Sequence, residues 1–183
     1  MAQPSLRPQD VVVLAKLLTY KTGRPPIARM SSELALSGSE VHAALRRLAT
    51  SRLLSDDASG NRPLLENAEE FLVHGVKYMF PARRGEVTRG VPTSHSAVPL
   101  IGHFGPSSDL PVVWPLLEGS QRGVTLEPLY KTLPGVALRD QALYELMVLI
   151  DALREGRPRE RQIAKEELLT RIRYRVEPGA ETP

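Results

Sequence analysis

ARMSSELALSGSEVHAALRRLATSRLL, residues 28–54, contains a helix start that can be read residue by residue. Ser37 can cap a helix whose third residue, Glu40, reaches back to the capping backbone. That reciprocal arrangement satisfies two of the donors that a helix N-terminus leaves open. Beyond it the residues divide by face. Val41, Ala44, Leu45 and Leu48 recur at spacings of three and four as an inward stripe, while Ser39, His42, Ala43, Arg46, Arg47 and Thr50 fall on the outer side. The pattern predicts a helix over 39–52 with one apolar and one polar face. Short side chains early and arginines later suit a helix entering the major groove of DNA, where guanidiniums reach phosphates or the O6/N7 edge of guanine.

Towards the N-terminus, Pro8 suits a first helical turn, and Val11, Leu14, Ala15 and Leu18 follow at helical spacing. Pro25 and Pro26 end that helix, and a short second one over 27–36 buries Ile27, Met30 and Leu34. Towards the C-terminus, Leu53-Leu54 and Pro63-Leu64-Leu65 flank an Asp/Ser/Gly/Asn tip, which reads as a hairpin with Pro63 on an edge strand. A fourth helix is expected from a cap at Asn67, carrying Phe71, Leu72, Val76, Met79 and Phe80.

Helix, helix, capped helix and hairpin, over residues 8–65, resemble the winged helix-turn-helix of bacterial transcriptional regulators. Residues 28–54 are similar to the region that MarR-, Lrp- and GntR-like regulators share, "LA…LS.SxV…L.RL…GLL". The chain departs from that pattern at Ser51-Arg52, where many relatives have a glycine before the wing, and in the acidic wing start Asp56-Asp57. The resemblance implies DNA binding by the helix over 39–52, a hairpin tip touching backbone or minor groove, and a dimer on a pseudo-palindromic site. Carried over position by position, it implies contacts from Ser37, Ser39, His42, Ala43, Arg46, Arg47, Asn61 and Arg62. Outside the motif, Lys21 and Arg24 are read as phosphate partners.

The whole chain has 183 residues, 42% apolar and 25% charged, with a formal charge of +3. Residues 1–90 carry 13 Lys+Arg against 9 Asp+Glu, and residues 91–183 carry 11 against 12, so the basic excess lies in the first half. The absence of cysteine excludes disulfides, thiolate metal sites and cysteine nucleophiles. Residues 1–8 hold no apolar run of the kind a secretory signal needs, and no stretch is apolar enough to span a membrane. The expectation is a cytoplasmic protein without membrane contact. No phosphate-binding Gly-x-x-x-x-Gly-Lys-Ser/Thr and no Gly-x-Ser-x-Gly occurs, and the spacing of His95, His103 and Asp109 fixes no shared face. No enzyme activity, cofactor or metal is expected.

Residues 81–135 hold eight prolines and seven glycines and show no sustained period. Their apolar groups, 98–101 and 110–117, predict an irregular segment packed against the rest, with short edge strands. Arg83, Arg84 and Arg89 form a possible basic loop there, for phosphate or a partner. Trp114, Leu116 and Leu117 are candidates to line a pocket for a small apolar effector. Residues 136–154 and 158–174 read as helices broken at Gly156. The first is apolar over so much of its surface that it must be buried, against its own chain or, as preferred here, against a second copy.

The expected fold is therefore mainly α (α+β). It comprises a winged helix-turn-helix over 1–80, an irregular Pro/Gly-rich middle over 81–135 and a C-terminal helical pair over 136–183 that dimerises or holds a partner. The expected function is sequence-specific binding of double-stranded DNA as a homodimeric transcriptional regulator. The alternative is a protein-interaction module, antitoxin-like or adaptor, whose winged helix holds a partner.

Overall fold

Three prolines near the N-terminus set the first two helices. The computed structural model describes residues 5–20, 23–55, 60–105 and 108–176. In it α1 (Pro8–Thr19) begins at Pro8, where the missing N–H is no loss, and Asp10 turns back to accept the Arg7 N–H at 2.8 Å. Every residue from Asp10 to Leu18 is buried, so α1 is an interior helix. After Pro25-Pro26, α2 (Ile27–Leu34) ends at Ala35, whose φ of +50° breaks the helix. In α3 (Gly38–Thr50) the predicted box forms: the Glu40 N–H donates to Ser37 Oγ at 3.2 Å and the Ser37 N–H to Glu40 Oε2 at 2.9 Å. Val41, Ala44, Leu45 and Leu48 are buried as their spacing requires.

Arg52 then takes a φ of +57°, the left-handed backbone that a glycine adopts without a Cβ penalty. The predicted hairpin is only a single antiparallel bridge, Leu54 to Pro63, flanked by Ser55 N–H to Arg62 C=O (2.8 Å) and Leu64 N–H to Leu53 C=O (3.0 Å). Pro63 has no N–H, so the ladder cannot extend through it. The Asp56-Asp57 start of the tip lies outside the described residues. The next helix starts earlier than expected, as α4 (Leu65–Glu70), a π-helical turn (Phe71–Gly75) and α5 (Val76–Met79). Asn67 is no cap; its amide donates instead to the Arg52 carbonyl at 2.7 Å.

The middle segment is more ordered than its proline and glycine content suggests. Strand β1 (Arg84–Pro92) runs antiparallel to both β2 (Val112–Pro115) and β3 (Gln121–Leu126), and β2 runs parallel to β3. Each strand pairs with the other two, closing a very small sheet. The glycines make that closure possible: a Cβ on Gly90 would stand 2.0 Å from the Trp114 carbonyl oxygen. Arg84 and Arg89 accordingly belong to a strand and not to a basic loop.

The predicted helix over 136–154 is two. α6 (Leu133–Ala137) stops, and Asp140 starts α7 (Gln141–Glu155) by accepting the Leu143 N–H at 3.0 Å. α8 (Pro158–Val176) follows the break at Gly156. The preference for α7 as a dimer interface is overturned. Leu143, Leu146, Met147, Ile150 and Leu153 are at most 3% exposed within this one chain, because α1, α5 and α8 cover them. Residues of α1, α3, the sheet, α7 and α8 form one apolar cluster. The effector pocket also fails: Trp114 is fully buried whereas Leu117 is 88% exposed, so they line no common cavity. Among the described residues no helix is long and apolar enough to cross a membrane.

Two polar clusters cross this core. Lys16 of α1 reaches Glu33 of α2 (2.7 Å) and Asp140 at the start of α7 (2.6 Å), and the Tyr20 hydroxyl donates to Glu33 at 2.5 Å. Asp151 of α7, fully buried, accepts from Trp114 Nε1 (2.6 Å), Thr93 Oγ1 (2.9 Å) and Arg154 Nη1 (2.6 Å). Arg154 also donates to the Phe80 carbonyl at 2.9 Å, fastening the end of α5 to α7.

Candidate nucleic-acid interface

The outer face of α3 divides again once the rest of the chain is in place. Arg46 and His42, one turn apart, are exposed, and Ala43 between them is half-buried. Together with Thr50, Arg24 and Asn61 they rim a concavity of about 350 Å³ floored by Ile27, Leu45 and Ala49. Among the described residues no carboxylate lines it. Among the described residues Arg46 has no ion-pair partner, so its five donors face solvent.

Arg47 requires a correction. The helical period puts it on the outer side, but its guanidinium bends under α3 and forks onto buried Asp10, with Nε to Oδ2 at 2.7 Å and Nη2 to Oδ1 at 2.6 Å. The hydrogen bonds to Asp10 hold Arg47 still more firmly protonated, and its side chain is only 11% exposed. It therefore anchors α3 to α1 and is not free to touch phosphate.

The remaining sequence-predicted contacts vary in freedom. Ser37 is committed to its cap, giving Oγ to Glu40 Oε2 at 2.8 Å, while Ser39 beside it is exposed. The Glu40 carboxylate accepts from Ser37 and from the Tyr130 hydroxyl (3.0 Å), and these bonds hold its pKa below the ordinary carboxylate range. Arg24 donates to the carbonyls of Gly60 (3.3 Å) and Pro25 (3.1 Å), so it braces the turn after α3 as well as facing the concavity. Asn61 has a φ of +58° and Arg62 is exposed. Lys21 lies outside the described residues.

Arg83, Arg84 and Arg89 do not act together. Arg84 pairs with Glu155 at 2.7 Å, Arg83 edges a separate small cavity beside Glu127, and Arg89 faces Arg122 across the sheet. His95 and His103 also diverge, standing 3.8 Å from Glu160 and 3.2 Å from Glu167. Among the described residues no three His, Asp or Glu side chains gather as a metal site would require.

Sequence reasoning did not single out one exposed basic residue that follows α3. Arg52 is exposed just past the end of α3, and its signal was the departure from glycine noted above. No protein-family model, no curated protein and no solved structure matches the chain.

Proposed function

We propose that the chain binds double-stranded DNA through α3 in the manner of a winged helix-turn-helix regulator, acting as a homodimer at a pseudo-palindromic site. The observation that carries this reading is the concavity on α3. Arg46 and His42 stand there beside Arg24 and Asn61, over an apolar floor and, among the described residues, without a carboxylate to compete. In this reading Arg46 addresses a base edge, with His42 and Ser39 at its side. Arg24, Arg52 and Arg62 meet phosphates and set the register. Arg47 has no direct part.

The test is fluorescence-anisotropy binding to the DNA upstream of the protein's own gene, against scrambled DNA, at about 50 and about 200 mM salt. Specific binding that weakens steeply with salt supports the reading. Equal binding of both sequences, or none, overturns it.

One observation favours the protein-interaction alternative. Leu6, Leu53, Phe71, Tyr78 and Met79 line an open apolar groove of about 760 Å³ along α4 and α5, and Tyr78 is 80% exposed. Exposed apolar ground of that kind marks contact surfaces between proteins. With α7 covered by its own chain, this groove is where a second copy or an adaptor partner would sit.

A further inference from the structure

On the sheet, Arg89 of β1 and Arg122 of β3 are direct register partners. Side chains so placed have Cβ atoms about 4.5–5.5 Å apart on one face, where like charges oppose the pairing. Both arginines are exposed, and among the described residues neither has a carboxylate partner. Other cations of the chain are paired, Arg47 with Asp10, Lys16 with Glu33 and Asp140, Arg84 with Glu155, Arg173 with Glu69, whereas among the described residues Arg46 on α3 is bare like these two. Like charges on register partners oppose the pairing, and an anion bound by both would offset that repulsion.

From these features we propose that Arg89 and Arg122 form a phosphate-binding patch that grips nucleic-acid backbone. The inference rests on the DNA-binding reading and adds to it a contact built on a different element. Strand alternation puts Val87 and Val91 of β1, and Val124 of β3, on the same face as the arginines. The guanidinium fork matches two phosphate oxygens at once.

The test compares the full-length chain with R89Q/R122Q, both exposed positions. The first measurement is binding to a duplex of about 20 base pairs between about 50 and about 200 mM salt. The double variant should lose about two units of the slope of log affinity against log salt, and by a similar amount for any sequence. An unchanged slope, with the parent binding DNA, overturns the patch and leaves α3 standing. The second measurement titrates the parent with inorganic tripolyphosphate while following the arginine Nε–H signals. Shifts confined to Arg89 and Arg122 support the pair as a phosphate site; where duplex binding nonetheless fails, the nucleic-acid assignment falls together with the α3 reading. Equal shifts with poly-glutamate overturn the preference for phosphate, and no shift with either polyanion rejects the pair as an anion site.

Discussion

Asp10 and Arg47, 37 residues apart, close a buried two-point ion pair that fixes the angle at which α3 lies on α1. Asp10 is completely buried and also accepts the Arg7 N–H at the start of α1, so one carboxylate serves both a helix end and a helix crossing. Removing one partner leaves the other charged in the interior, which is far costlier than replacing both.

Asp10→Ala should therefore lower stability by about 3–5 kcal/mol in urea unfolding, and Asp10→Leu with Arg47→Met by much less. DNA affinity in these variants should follow the folded fraction alone. A loss of affinity in folded Arg47→Met that folded Asp10→Leu does not share would return Arg47 to the interface.

Arg46→Ala should behave in the opposite way. Its side chain is exposed and, among the described residues, unpaired, so stability should move by no more than about 0.5 kcal/mol. Specific DNA binding should weaken by about 1–3 kcal/mol, with discrimination relaxed at one base position, as read from a panel of singly substituted duplexes.

A third prediction concerns acid. Burial works to raise the pKa of Glu33, but hydrogen bonds from Lys16, Tyr20 and Arg29 outweigh it and bring the group from 4.5 to about 2. The unfolded chain takes up this proton first, so the contribution is complete above the ordinary value and is lost as pH falls from 4.5 to about 2. Thermal melts of the parent should decline through that window, and the decline should be shallower in Glu33→Gln.

The single tryptophan supplies a fourth. Trp114 is fully buried with its indole N–H on Asp151, so iodide should quench it only after unfolding. Asp151→Ala strands Arg154 and leaves the Trp114 and Thr93 donors without their acceptor. It should cost at least about 3 kcal/mol and shift the emission of whatever folded protein remains. Quenching of the folded parent would mean that Trp114 is reachable after all.

What the sequence disclosed was what neighbours in sequence decide. The Ser37–Glu40 box, the stripe from Val41 to Leu48 and the stop at Gly156 are settled within a few residues, and each could be read directly. Arg47 could not, because the helical period places its Cα on the outer face while its long side chain reaches a partner from another helix. The start of α7 at Asp140 was masked by an apolar period that continues across it. The strands were hidden for a different reason. Gly90 and Gly123 look like breaks in a linear text, yet they are the places where two backbones must approach within a Cβ radius. The basic concavity was half legible: Arg46, His42 and Asn61 were named from the motif, but Arg24 joins them only through the turn at Gly60.

The burial of α1 against α7 and α8 has a consequence for synthesis. A chain leaves the ribosome N-terminus first, at about 5–20 residues per second, and domains ordinarily fold in that order. Here the first helix finishes its packing only when Leu146, Met147 and Leu168, which share its apolar cluster, have emerged. α3 rests on α1 through Asp10, so its platform is completed last although its own residues are made early. A nascent chain stalled before α7 would carry every residue of α3 but would not hold the helix in its final place.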